Sequence, residues 1–322
     1  MNPSPRRAPV PPLLALAFGL LAVSTAAIFI RYAQVYTPSL VIAAFRLTLA
    51  SLVLMPLAFT HRREELRLLS RQELYLALTS GIFLALHFAT WITSLEYTSV
   101  ASSVVLVTTS PLWVTLLSPL ILKEPLTRPI LLGMAMALLG STAVGLSDSC
   151  TWSGTRLLCP PLDEFIKGKA FLGDLLALAG AWMATGYLII GRHLRAKMSL
   201  ISYISVVYGM AALILIVIMF LAGQVPWGYP PIAYLWFVLL ALVPQLLGHS
   251  TFNWVLGYLS AAYVSITLLA EPIGSTILAY FFLNETPTAF KVFGAILILS
   301  GIYVATQGES RRKTREIAEM SG

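Results

Sequence analysis

The sequence predicts an all-α membrane protein, ten transmembrane helices arranged as two inverted five-helix repeats. Three observations predict it. The 322 residues are 58% hydrophobic and only 11% charged, against roughly a quarter charged in an ordinary soluble domain. So few charges do not cover a soluble core of this size, whereas a surface facing lipid is itself apolar. Ten apolar runs approach the length of about 20 residues that crosses the hydrocarbon of a bilayer. The second half of the chain also repeats the first.

The elements follow in order. Residues 1–11 form a Pro-rich leader with Arg6 and Arg7, read as a disordered tail. A basic start before an apolar run resembles a signal peptide. No small-residue cleavage site follows, so the run is expected to stay as the first span. The ten spans are 12–30, 39–59, 74–95, 99–119, 129–147, 170–191, 200–222, 232–254, 259–282 and 288–306. Each should be helical, because backbone groups in lipid must bond within their own segment. The breaks carry turn chemistry or charge: Thr37-Pro38, His61 to Arg71, Lys123-Glu124-Pro125, Pro226 to Pro231 and Asn284 to Pro287. The domains read as a first repeat 12–147, a loop 148–169, a second repeat 170–306 and a basic tail 307–322.

Orientation follows from the basic residues. With the N-terminus inside, fifteen of the 21 Lys and Arg fall on the cytoplasmic side. Arg31, Arg156, Lys167, Lys169 and Lys291 fall on the other, and Arg46 lies within a span. Both termini are then cytoplasmic, in a plasma (inner) membrane. The two cysteines, Cys150 and Cys159, share the long loop 148–169 on the outer side, where a disulfide persists. Two unpaired thiols remain the alternative, since sequence does not give the geometry a disulfide needs.

The repeat appears when the chain is shifted by 161 residues, half its length. Tyr97, Ser99, Ala101, Pro111, Thr115, Glu124, Thr127, Gly133 and Gly140 then meet Tyr258, Ser260, Ala262, Pro272, Thr276, Glu285, Thr288, Gly294 and Gly301. Each half holds five spans, an odd number, so the halves enter the membrane from opposite sides. The glycines are expected to permit close helix packing.

At these residues the chain resembles the drug/metabolite transporter superfamily, specifically its EamA-like ten-helix members, over about residues 12–306. The resemblance rests on Arg46 within Ala-Ala-Phe-Arg-Leu, on Tyr97 to Pro111 followed by Lys123-Glu124-Pro125-Leu126-Thr127, and on their counterparts Tyr258 to Pro272 and Asn284-Glu285-Thr286-Pro287. It implies a transporter with a central cavity between the halves, often exporting amino acids or other small metabolites. The loop 148–169 is longer than the resemblance leads one to expect.

Ionisable groups at membrane depth are costly, by about 2.5–3.5 kcal/mol on insertion scales, and normally face a cavity or a partner. Four lie well within the spans: Arg46, His87, His249 and Glu271. Glu271 immediately precedes Pro272, so a kink is expected there, with Ser110-Pro111 as the first-half counterpart. Glu271 suits a cationic group or a proton, with hydrogen bonding to neighbouring helices as its structural alternative. His87 and Trp91 share a face of the third span, and His249 and Asn253 share one of the eighth. Both histidines join Glu271 as candidates for proton coupling. Arg46 suits a carboxylate or phosphate; pairing with a helix end or reaching to the interface are its structural alternatives. Trp182 and Tyr187 of the sixth span complete the candidate substrate-binding set, with interface placement as their alternative. Glu124 and Glu285 suit caps or gating ion pairs. The pocket is expected from spans 1, 3, 4, 6, 8 and 9.

No Walker A loop, GxGxxG, HExxH or nucleophile elbow is present. The expectation is therefore no enzyme, no catalytic residue, no metal and no cofactor, with transport driven by a gradient or by exchange. The partners expected are a small-molecule substrate and the lipid bilayer. A homodimer is left open, and no nucleic acid is expected. The alternatives are a nucleotide-sugar or sugar-phosphate exchanger of the same fold, which needs several cationic pocket groups, and a polytopic membrane protein that does not transport.

Overall fold

The computed structural model describes residues 8–98, 103, 106–149, 151–153, 156–158, 169–283 and 289–321. Ten helical rods follow one another among these residues. They are α1 (Pro12–Gln34), α2 (Ser39–His61), α3 (Arg71–Tyr97), α4 (Ser110–Ile121) and α5 (Arg128–Ser149), then α6 (Lys169–Arg195), α7 (Leu200–Leu221) and α8 (Pro231–Val255). α9 is built from Ala261–Leu268 and Glu271–Leu283, and α10 is Ala289–Ser321. Seven helices are long and apolar enough to cross a membrane, with shorter apolar helices at Ser110–Ile121 and Arg128–Ala143. Between α5 and α6 lie two short antiparallel strands, β1 (Thr151–Ser153) and β2 (Arg156–Leu158). Cys150, Cys159 and Glu285 lie outside the described residues.

Several boundaries differ from expectation for local reasons. α3 begins at Arg71 rather than 74 because Ser70 and Glu73 close a capping box, which satisfies two otherwise orphaned backbone donors. Ser199 and Ser260 cap α7 and α9 in the same way through one hydroxyl each. α10 continues past 306 to Ser321; the residues beyond include Arg, Lys, Glu and Ala and no proline, so nothing there stops a helix. α8 is wound as a π-helix over Ala241–His249, with Pro244 inside it, where the proline cannot donate to the ladder.

The close helix crossings at Gly133, Gly140, Gly19 and Gly180 obey the 161-residue shift. α5 packs along α10. A Cβ added at Gly133 would strike the carbonyl oxygen of Gly301, and one at Gly140 would lie 2.6 Å from that of Gly294. The shift exchanges these two crossings. Because 133 meets 301 and 140 meets 294, the two helices are antiparallel, so the two-fold relation between them runs across the helix axes and the repeats are inverted. The second pair of crossings agrees. A Cβ on Gly19 of α1 would meet Thr251 Cγ2 at 3.0 Å and the Gly248 oxygen at 3.5 Å. One on Gly180 of α6 would meet Thr90 Oγ1 at 3.2 Å and the His87 oxygen at 3.6 Å. Shifted by 161, each triplet becomes the other.

The broken helices complete the symmetry. α9 is interrupted at Leu269-Ala270, directly before Glu271-Pro272, and α4 is preceded by a turn at Thr108-Thr109, directly before Ser110-Pro111. The Ser24 hydroxyl of α1 donates to the Leu20 carbonyl at 2.8 Å and shares that proton with the Glu271 carbonyl at 3.4 Å; the equivalent Thr185 hydroxyl of α6 donates to the Ala181 carbonyl at 2.8 Å and shares its proton with the Ser110 carbonyl at 3.4 Å. The kink expected from Pro272 is therefore a true break, mirrored in the first repeat. The outward faces carry large apolar side chains, among them Leu14, Leu52, Leu120, Leu172, Leu213, Ile296 and Leu299. Such faces suit contact with lipid.

The end of the molecule that carries both termini is tied across the repeats. Glu124, between α4 and α5, pairs with Arg192 of α6 at 2.6 Å and accepts from the Ala261 amide of α9 at 3.3 Å. Arg192 also donates to the Leu256 carbonyl at 2.8 Å. Glu309 of α10 accepts from the Ser260 amide and hydroxyl at 3.0 and 2.6 Å. Glu65, in the turn between α2 and α3, accepts from the Ser199 amide at 2.6 Å. Partial burial pushes the Glu65 carboxyl up, but hydrogen bonds from Ser199 and Ser202 outweigh it and hold the group below the usual carboxylate range.

Candidate functional site

Phe88 of α3 and His249 of α8 are equivalent under the repeat, and their rings meet edge to face at 5.3 Å. Two equivalent positions in contact lie on the two-fold axis. There a cavity opens, with about 80 Å³ free to the centre of a water-sized sphere. It is lined by α1 (Val23, Ala26), α3 (His87, Trp91), α4 and the turn before it (Val107, Thr108, Ser110, Pro111), α6 (Ala184, Tyr187, Leu188), α8 (His249, Phe252) and α9 (Leu268, Leu269, Glu271). These are the six helices expected. α2 adds a seventh wall through Arg46.

Arg46 is fully buried, so it does not reach to the interface. Its Nε donates to Gln245 Oε1 of α8 at 2.8 Å, and its guanidinium carbon lies 4.3 Å from the centre of the Phe88 ring. That placement is a cation–π contact. Its other two nitrogens, Nη1 and Nη2, are buried and have no hydrogen-bond partner. Glu271 also lines the cavity. Among the described residues the ion pairs are Arg67–Glu64 and Arg192–Glu124, so Arg46 and Glu271 share the cavity without forming a salt bridge.

The histidines differ in their bonding. His87 Nδ1 lies 2.9 Å from the Gly180 carbonyl. A carbonyl only accepts, so Nδ1 carries a proton and Nε2 is the acceptor in the neutral ring. His87 stacks on Trp91 at 5.8 Å and 14°, and Trp91 Nε1 is a further buried donor without a partner. His249 packs edge-on against Phe88 and Phe252.

Of the eight residues expected to bind substrate, six line the cavity: Arg46, His87, Trp91, Tyr187, His249 and Glu271. Asn253 lies beside it rather than in its wall. Its amide donates to the Tyr187 and Tyr208 hydroxyls and to the His249 carbonyl, so it braces Tyr187. Trp182 is 47% exposed and packs edge-on against Trp113 at 5.8 Å, away from the lining. At about 100° per residue, five positions separate Trp182 from Tyr187 by about 140° around the helix, so α6 does not turn both inward. The reading by ionisable residues missed Gln245, the buried partner of Arg46, and Phe88, the ring beneath the guanidinium. A neutral amide directly after Pro244 in an apolar span was the available signal for the first, and the repeat equivalence with His249 for the second.

Known proteins bear on this arrangement. The EamA-like transporter family matches residues 11–146 and 171–307, one copy in each half. An uncharacterized transporter of Archaeoglobus fulgidus is 22% identical over 294 residues, covering 91% of this chain and 96% of that protein. An uncharacterized transporter of Synechocystis sp. is 26% identical over 247 residues, covering 74% of this chain and 66% of that protein. One solved crystal structure superposes with a TM-score of 0.72 at 17% identity, over 93% of this chain and 98% of the other, a likeness of fold. With a family match in both halves, the chain belongs to the EamA-like transporter family.

Proposed function

We propose that this integral membrane transporter is a secondary exporter of amino acids or similar small metabolites, working by alternating access. The observation that carries the reading is the cavity on the two-fold axis, whose wall holds a buried arginine and a carboxylate that do not neutralise each other as an ion pair. Ionisable groups at this depth are expensive unless they serve a polar pathway. A cavity between inverted repeats is the place where rocking of one half against the other exposes a solute first on one side and then on the other. The excess of Lys and Arg on the side of both termini supports a cytoplasmic location for them.

Glu271, His87 and His249 are the groups through which a proton couples to the solute in this reading. The exchanger of sugar phosphates has less support, because among the described cavity-lining residues Arg46 is the only Lys or Arg. Counterflow in proteoliposomes, screened across amino acids, nucleosides and sugars, tests the function. Exchange of at least one amino acid-like solute, abolished by filling the cavity with Ala184→Trp, is the expected result. Folded protein that exchanges no solute defeats it. An imposed pH gradient tests coupling: accumulation should follow the gradient in wild type and lose that dependence in Glu271→Gln.

A further inference from the structure

We infer that the cavity holds two subsites that together select a zwitterion: an oxyanion subsite at Arg46 and Trp91, and a cation subsite at Glu271. The inference rests on the transport reading and assigns recognition within the same cavity.

Buried polar groups normally have partners. The wall departs from this at three donor atoms, Nη1 and Nη2 of Arg46 and Nε1 of Trp91. All three are N–H groups and none can accept. Both residues pack against the Phe88 ring, Arg46 at 4.3 Å and Trp91 with centroids 6.4 Å apart. The guanidinium is held in place on one edge by Gln245, which leaves the two terminal nitrogens as a fixed fork. A planar fork of two donors matches a carboxylate. The third donor, the Trp91 indole N–H on the neighbouring helix, likewise lacks an acceptor.

Glu271 supplies the complementary charge from α9 and makes no ion pair among the described residues. The charge balance then discriminates among solutes. A monovalent anion leaves Glu271 without a counter-charge, and a cation leaves Arg46 without one; an unpaired buried charge is strongly unfavourable. A solute carrying both charges satisfies both ends at once. The remaining wall is mostly aromatic and aliphatic, with His87, His249, Thr108 and Ser110 as its other polar members, so the rest of the solute is largely apolar.

The test is competition binding to detergent-purified protein, using each standard amino acid, the amine left when its carboxylate is removed, and the acid left when its amino group is removed. Wild type should prefer the best amino acid to both analogues by about tenfold or more, the worth of one charge-assisted bond. Arg46→Gln should bring the amine level with the amino acid and leave the acid weak. Glu271→Gln should do the reverse, raising the acid. Among the described residues Glu271 makes no ion pair, so this variant decides the matter if Arg46→Gln fails to fold. Wild type that binds amine or acid as tightly as the amino acid, or a Glu271→Gln protein with unchanged preferences, overturns the subsites. If counterflow of some solute persists in that case, transport stands and only the recognition scheme fails. If folded protein shows neither binding nor counterflow, the transport reading falls with it.

Discussion

Replacing Gly140 by alanine probes the inverted packing at one of its close crossings. In the α5–α10 crossing the new Cβ would sit 2.6 Å from the Gly294 oxygen, 2.8 Å from Ile298 Cγ1 and 2.9 Å from the Ile298 nitrogen. Two of these three atoms are backbone, so no side chain can turn aside; the helices must separate. In lipid, helices associate through van der Waals packing and not through a hydrophobic drive. Separation therefore forfeits contacts along the seam, at an overpacking cost of about 1–3 kcal/mol. Against this stands a gain in helix propensity of about 1 kcal/mol for Gly to Ala. Gly209→Ala is the control, because its Cβ would meet only the mobile Met55 Cε at 3.3 Å. Thermal unfolding in detergent should place Gly209→Ala level with or above wild type and Gly140→Ala below it, and Gly133→Ala should resemble Gly140→Ala. Gly133→Ala with Gly140→Ala should cost less than the sum of the two, since one separation relieves both crossings. Equal stability of Gly140→Ala and Gly209→Ala would refute the close crossing and the two-fold relation read from it.

Three other outcomes are expected. Glu124→Gln should lower thermal stability by about 3 kcal/mol, the low end for breaking a buried pair because Arg192 stays one-fifth exposed; Glu124→Arg with Arg192→Glu should recover part of the loss in a double-mutant cycle, and full additivity would deny the pair. Ser24→Ala and Thr185→Ser should each change unfolding stability by no more than about 0.6 kcal/mol, the scale of a hydroxyl bond between membrane helices, because each hydroxyl directs its shorter bond to its own helix; a loss of several kcal/mol in thermal unfolding would deny that. The β1–β2 register pairs Thr151 with Leu158, and the chain's two cysteines flank those positions; alkylation of protein taken from its membrane should label neither thiol until reductant is added, and labelling of both without reductant would exclude the bridge.

The parts of the fold legible in the sequence are those set by length and by symmetry. Apolar runs long enough to span a bilayer located the helices, and the Pro and Gly matches at a 161-residue shift located the breaks in α4 and α9 and the glycine crossings. Both features depend on residue type alone, without reference to which way a side chain faces. Facing was the harder matter. Trp182 and Tyr187 were grouped by chemistry, yet helical geometry sends them to different sides of α6. Asn253 shares a face with His249 by spacing, yet its amide turns to Tyr187 and Tyr208. The π-helical winding of α8 changes the angle between successive residues, so a periodicity of 3.6 does not describe that stretch. Gln245 was passed over because an uncharged amide does not stand out in a search for costly charges, although burial makes its hydrogen bond to Arg46 just as obligatory.

The inverted symmetry separates two kinds of buried polar residue. Where a polar contact is repeated by the 161-residue shift, as with Ser24 and Thr185 or Thr90 and Thr251, it serves packing that both halves need. Such contacts persist if the halves exchange conformations during a transport cycle, since each half then makes the bonds its counterpart made before. At the axis the equivalence fails. Arg46 corresponds to Val207, Glu271 to Ser110 and His249 to Phe88. A cavity on the axis would present the same wall twice if these positions matched; instead its wall carries a cation from α2 and a carboxylate from α9. Discrimination between solutes should therefore follow the positions that break the symmetry, and stability should follow those that keep it. Substitutions at Arg46 and Glu271 are expected to redirect which solute binds while leaving the helix crossings intact, whereas substitutions at Gly133 and Gly140 should weaken the protein without altering its preference.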